Sequence, residues 1–385
     1  MYDLSKHPYF EEFVDPKSGV KSYILKERVA DLQSCLYFTE MGGITADEKY
    51  MWFHCFDYPK KGNTLAVVSL DPEKPFIRRF NNAGTTPGMG CMTNMYTLDG
   101  NYAFFPVGPQ LFKIDVDGNI SKVFEVDKEL IQSRRFDRFS THTTVDASGE
   151  LILMDMFIGG KCYIATGNLK TGEMKVIHKF VRQYNHAQFS PTDPNLFILD
   201  EEWETDPVSG ERFSIDKRIW LMDIHGTKFE PIDPDKWFFH DGSVYCHDFW
   251  SKDGYICWPD LDVCVYEYNP YTKEKNVTWN RAICHAHTLH RKYWVGDANP
   301  YDWGTHKDCK VWFFDRENQK EIEIFSALPR HKYPSGYYHL DPHPAFSPKG
   351  TYVVSMTTVK GNIDVAITPT VPLIERCKEV GSKVK

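Results

Sequence analysis

The sequence predicts an all-β fold: a seven-bladed β-propeller, closed into a ring by an N-terminal strand that completes the last blade. Three observations lead there. A turn-then-strand unit recurs seven times along 385 residues, 25 glycines and 23 prolines suit many tight turns, and an N-terminal segment is patterned like a strand that the seventh repeat lacks. The turns are Thr45-Ala46-Asp47-Glu48-Lys49, Leu98-Asp99-Gly100-Asn101, Asp146-Ala147-Ser148-Gly149, Ser190-Pro191-Thr192-Asp193-Pro194, Ser251-Lys252-Asp253-Gly254, a degenerate His290-Arg291-Lys292, and Ser347-Pro348-Lys349-Gly350. Each precedes a short run of β-branched and aromatic residues, the pattern of a strand bounded by turn chemistry.

A second hairpin follows each turn, over residues 65–71, 111–118, 162–172, 218–226, 263–269, 311–315 and 363–368. Turn-to-turn spacing is uneven, about forty to sixty residues, and centres on the length of a propeller blade. The seventh hairpin has no return strand after it. Residues 14–25 supply one, and a strand from the other terminus removes the exposed edge of an open ring. Only 127–133 and the tail from Pro372 read as helical. A single domain over 1–385 is expected, with long connections at 132–144, 201–217 and 329–344 that a minimal propeller does not need.

Composition narrows the function. Apolar residues at 42% and aromatics at 15% provide for a large core, and a net charge of −8 argues against nucleic acid or an anionic membrane as the principal partner. The N-terminus has no apolar segment of signal-peptide type, and no run of eighteen apolar residues occurs, so a cytoplasmic protein is expected. The ten cysteines include no CxxC pair, which favours buried free thiols over a disulfide framework. A homo-oligomer is left open. Residues 83–90 are glycine-rich but lack the lysine of a phosphate loop, and no G-x-S-x-G elbow is present.

The chemistry concentrates in histidines. His142, His186, His247 and His285 stand at similar points before successive blade strands, and His339, Asp341 and His343 take that place in the seventh repeat. Even spacing along extended backbone turns side chains to one side. Imidazole and carboxylate together are ligands for a divalent metal of intermediate hardness. Equivalent positions in a propeller converge on its axis, so five blades are expected to point imidazoles into one funnel. The ordinary alternative for each histidine is a hydrogen bond to the neighbouring blade.

The chain resembles the oligogalacturonate lyase family, cytoplasmic seven-bladed propellers that degrade pectic oligosaccharides. The resemblance spans nearly the whole chain. It is carried by the order and spacing of Tyr9-Phe10, Val14-Asp15-Pro16-Lys17-Ser18-Gly19, Asp216-Lys217-Arg218-Ile219-Trp220-Leu221, His247-Asp248-Phe249-Trp250, Cys284-His285, Val295-Gly296-Asp297 and Pro342-His343-Pro344-Ala345-Phe346-Ser347-Pro348. It implies that His247 is the catalytic base, that Arg218 is the catalytic arginine, and that His285 and His343 hold manganese. The family's last motif reads Gln, two residues, His, one residue, His. Here those positions are Tyr338, Asp341 and His343, so only the last is kept, with Asp341 and the neighbouring His339 as substitute metal ligands.

These residue types fit β-elimination of a 4-linked uronide. The C5 proton lies α to a carboxylate, so a cation on that carboxylate stabilises the charge that develops, and a neutral histidine takes the proton. The expected function is therefore a polysaccharide lyase acting on short oligogalacturonides, an acidic oligosaccharide substrate, with a divalent metal, most simply Mn2+. His142, His186, Tyr338 and the basic run Arg134, Arg135 and Arg138 are the expected substrate contacts, the arginines gripping sugar carboxylates bidentately. The alternatives are a lyase for another uronic-acid glycan, a non-catalytic binding propeller, a strand-end Arg218 paired with Asp216 or Asp223, and a basic run that is merely solvated. Trp203, Trp237, Trp250 and Tyr337 are candidates to stack on sugar rings, although core packing is the commoner role of such residues.

Overall fold

The computed structural model describes the chain except residues 37–42, 61, 85–96, 99–101, 203, 207–208, 235–243, 262, 299–308, 334–339 and 385. Its strands form seven antiparallel blades in which sequential strands pair, plus a two-stranded hairpin joining Glu204–Thr205 to Arg212–Phe213 within the long fourth-blade connection. Turn chemistry dictates the sequential pairing. Gly149, Gly254 and Gly350 each donate a backbone hydrogen bond three residues back, at 2.8–2.9 Å, from left-handed backbone with φ of 76°, 82° and 71°. Glycine adopts that conformation without the Cβ clash other residues meet.

Burial grades outward through most blades, the sixth excepted, where the outer strand Lys320–Leu328 is largely buried. In the fourth, Tyr184–Phe189 and Leu196–Glu201 are buried at every position, whereas the outer strand Met174–Phe180 of the third blade is mostly open. Inner strands covered on both faces carry near-continuous apolar runs instead of alternation. The core is a set of wedges between neighbouring blades. Leu153 and Ile164 pack with Phe197 and Leu199, and Cys257 and Trp279 pack with Trp294 and Phe314.

The ring closes as the N-terminal pattern predicts. Lys21–Leu25 pairs antiparallel with Asp364–Pro369, with Tyr23 opposite Ile367 and Ile24 opposite Ala366, and Phe10–Val14 adds a fifth strand outside it. Ser382–Lys383 similarly extends the sixth blade against Lys320 and Glu321, which the sequence did not indicate. The described α-helices are Lys128–Ile131, within 127–133, and Thr370–Val380, which starts two residues before the Pro372 expected to open the helical tail; a single 3-10 turn at Leu4–Lys6 was not indicated by the sequence. No described helix is long and apolar enough to cross a membrane. The nine described cysteines are buried and free.

One position recurs. The fifth residue of the second strand is Asp155, Asp200, Asp260 and Asp297 in blades three to six, and His54 in the first. All five are buried at 1% exposure or less. Burial pushes the His54 imidazole down to about 3, against an ordinary value near 6.5. The native state therefore binds fewer protons than the unfolded chain between those values, and its stability falls as pH drops below about 6.5. Relative to a His54→Leu variant, wild type should lose up to about 1.4 kcal/mol per pH unit below 6.5. Urea unfolding of both proteins at pH 7, 6 and 5 checks this, and a constant difference would contradict it.

Candidate active site

Five successive blades each bring a histidine to the axial end of their first strand. His142, His186, His285 and His343 are buried, and only His247 is partly exposed. Three of them have left-handed backbone, with φ of 53° at His186, 55° at His247 and 42° at His343. That conformation costs an ordinary residue about 1–2 kcal/mol. At His186 it coincides with a bulge between Asn185 and Gln188, the kind of feature that re-aims a side chain. His142, Gln188, His247, Asp248, His285 and His343 line one cavity.

The histidines form two groups. Ring centres lie 4.1 Å apart for His247 and His285 and 3.7 Å apart for His285 and His343. His142 and His186 form the second pair, at 4.8 Å.

The first group has the makings of a metal centre. Ligand atoms of His285, Asp341 and His343 lie within 4.8 Å of one another. Nδ1 of His285 donates to Asp297 at 2.9 Å, which leaves the lone pair on Nε2. A carboxylate behind a histidine orients it for a metal and raises its basicity. Asp297 also accepts the backbone N–H groups of His285 at 2.9 Å and His343 at 3.0 Å, so one side chain holds both ligand segments. Burial keeps His285 neutral down to about 3, the protonation state a ligand needs. Burial, with the Asp297 charge adding to it, pushes the Asp341 carboxyl up to about 7, a cost that a bound cation would relieve. Two imidazoles and a carboxylate fit a divalent ion of intermediate hardness.

The second group already contains its cation. His186, Asp200 and Glu202 also cluster within 4.8 Å, but Nε of Arg218 lies 2.9 Å from Asp200 and Nη2 lies 2.9 Å from Glu202. Arg218 is buried. Desolvation opposes its charge, yet Asp200 and Glu202 outweigh that and raise its pKa. Burial, then the charges of His142 and Arg218, depress the His186 imidazole. Nδ1 of His186 lies 2.5 Å from Asn185 Oδ1, and its backbone N–H donates to Thr141 at 2.7 Å. Arg218 thus pairs with Asp200 and Glu202 instead of Asp216 or Asp223.

Other expected contacts are placed elsewhere. None of Arg134, Arg135 and Arg138 lines the cavity. Arg134 donates to the Tyr163 hydroxyl at 2.5 Å and to the Leu130 and Ile131 carbonyls at the end of the short helix, where a cation suits the orphan acceptors. Arg135 is exposed and pairs with Asp137 at 2.5 Å. Arg138 joins two blades through the carbonyls of Asp155 at 3.0 Å and Tyr184 at 2.8 Å. Trp250 is packed in the core, with its indole donating to the Gln188 carbonyl at 3.0 Å, and it also contributes to the cavity lining. Tyr338 and His339 lie outside the described residues, as do Trp203, Trp237 and Tyr337.

Sequence reasoning missed Asp200, Glu202, Asp248 and Cys284 as parts of the site, and quoted Asp297 without a role. The signal was an aspartate closing otherwise apolar strands, as in Ile198-Leu199-Asp200 and Val295-Gly296-Asp297. A buried carboxylate in such a run is expensive unless several donors meet it.

No family model matches this chain, and no curated protein matches it. Solved structures do. The oligogalacturonate lyase of Vibrio parahaemolyticus aligns with a TM-score of 0.71 at 18% identity, over 94% of this chain and 96% of that one. An oligogalacturonate lyase in complex with manganese aligns with a TM-score of 0.71 at 17% identity, over the same shares. A chain of the mitotic checkpoint complex aligns at 0.52 with 9% identity, over 92% of each. At these identities the likeness is one of fold, and that fold is the seven-bladed propeller with its ring closed.

Proposed function

We propose that this protein is a polysaccharide lyase that cleaves short 4-linked uronides, oligogalacturonides first among them, by metal-assisted β-elimination. The observation that carries the reading is the pairing of His247 with His285. The one partly exposed axial histidine stands 4.1 Å, ring to ring, from a buried histidine that a carboxylate orients as a ligand. The fold shared with two oligogalacturonate lyase structures, one of them a manganese complex, supports it.

His285, Asp341 and His343 would hold the ion, with Mn2+ the first candidate. When bound it supplies positive charge to the uronate carboxylate. Nδ1 of His247 lies 2.8 Å from the Cys284 carbonyl, an acceptor only, so it carries the proton and Nε2 carries the lone pair. Nε2 takes the C5 proton. The C–H electron pair becomes the C4–C5 double bond, and O4 leaves with the glycosidic electrons and is protonated from solvent. Arg218, buried beside His186 and held charged by Asp200 and Glu202, is the residue assigned to stabilise the charge that develops. A uronide other than galacturonide is the second reading, favoured by Asp341 standing where the resembled family's motif has histidine.

Purified protein given oligogalacturonides and Mn2+ should produce a conjugated unsaturated uronate, followed by ultraviolet absorbance. No gain on any uronide tested, with or without Mn2+, would sink the lyase reading. His247→Asn should lower kcat by roughly 10²–10⁴ while the protein remains folded, and a variant of full activity would remove His247 from the role of base. Asp297→Asn should weaken Mn2+ binding about 10–100-fold, read from the free-ion electron paramagnetic resonance signal. An unchanged affinity would mean that His285 is not a ligand.

A further inference from the structure

We propose a second divalent-ion site, formed by His247, Cys284 and His285, that takes thiophilic ions such as Zn2+ and excludes an ion from the His285, Asp341 and His343 centre. The existence of this site rests on geometry alone. Its inhibitory consequence rests on the reading of His247 as base.

The ligand atoms of His247, Cys284 and His285 lie within 4.8 Å of one another. Cys284 Sγ is 3.7 Å from His247 Nδ1 and 3.9 Å from His285 Nε2. Around a tetrahedral zinc, with Zn–S about 2.3 Å and Zn–N about 2.0–2.1 Å, sulfur and nitrogen ligands stand roughly 3.6 Å apart. The sulfur therefore already stands close to the tetrahedral separation from both nitrogens. Two imidazoles and a thiolate, with a fourth position for water, form a donor set that zinc prefers and manganese does not. The neighbouring centre replaces the sulfur with the Asp341 carboxylate and so lacks the soft donor that singles out thiophilic ions.

His285 links the two sites. Its Nδ1 is committed to Asp297 at 2.9 Å, so only Nε2 can ligate, and it serves one ion at a time. Binding at the thiolate site releases the Cys284 thiol proton to solvent. His247 exchanges its hydrogen bond to the Cys284 carbonyl for the ion, and its remaining proton moves to Nε2. The imidazole then has no lone pair with which to accept a proton from substrate. A thiophilic ion thus disables the base and occupies a ligand of the other centre together.

Co2+ is the probe, because a cobalt–thiolate bond has a charge-transfer absorption that nitrogen and oxygen ligands do not produce. Titration of the intact protein should give this band at one equivalent, and added Zn2+ should bleach it. Cys284→Ser should abolish the band. Cys246→Ser should keep it, because Cys246 Sγ lies 3.4 Å from His247 Nδ1 but outside the three-ligand cluster. In wild-type crystals, zinc should give an anomalous peak about 2.3 Å from Cys284 Sγ, a result that does not depend on any variant folding. A band that is missing, that survives Cys284→Ser, or that disappears with Cys246→Ser would overturn the site. If the protein turns over uronides, Zn2+ should inhibit the Mn2+-loaded form, and Cys284→Ser should relieve that inhibition by roughly tenfold or more. A protein that shows the band but cleaves no uronide keeps the site and loses only the lyase reading.

Discussion

The buried aspartate at one repeated strand position is the constraint on which the funnel depends. An ionised carboxylate removed from water costs several kcal/mol, and only a dense set of donors offsets it. Asp155 meets the backbone N–H and hydroxyl of Thr141 at 2.8 and 2.5 Å and the N–H of Ala187 at 3.1 Å. Asp297 meets His285 twice and His343 once. In both cases the donors come from the segment adjoining the first strand of the same blade and from the corresponding segment of the next. The carboxylate therefore fixes the angle between neighbouring blades where the histidines project. Replacing it with an apolar residue would relieve the burial cost and release the two histidine-bearing segments together.

Left-handed backbone at His186, His247 and His343 follows from the same arrangement. A strained residue persists where its surroundings over-determine it, and here hydrogen bonds from the segment itself do so. The N–H groups of His186 and His343 are held by Thr141 and Asp297. The two histidine groups consequently have different surroundings. One lies beside a guanidinium buried among carboxylates, and the other combines a neutral imidazole at His285 with a carboxyl group raised to about 7.

The blade repeat, the ring closure and the axial histidines were legible because each is a local pattern. Ser251-Lys252-Asp253-Gly254 encodes its turn in four residues, and a histidine before an apolar strand is visible without knowing its partner. The partners were not legible. His343 reaches Asp297 across 46 positions, and Arg218 meets Asp200 only through the pairing of their two strands. The surroundings of the arginines at 134, 135 and 138 were hidden for a related reason: a run of charge does not say which carbonyls lie within its reach. Arg134 is used by a helix end and Arg138 by a blade junction, and the sequence shows neither acceptor.

The closure of the ring also sets the order of events during synthesis. Tyr23 and Ile24 are made more than three hundred residues before their partners Ile367 and Ala366. Early blades can assemble as they emerge, since their strands are sequential and their contacts local. The seventh, which carries Asp341 and His343, pairs its own strands in sequence but closes the ring only when Asp364–Pro369 meets Lys21–Leu25. The N-terminal strand must wait as an unpaired edge while most of the chain is translated, the interval in which such an edge is most exposed to wrong partners. In a nascent chain His285 and Asp297 of the sixth blade are therefore made before His343, whose backbone joins them only once the seventh is formed.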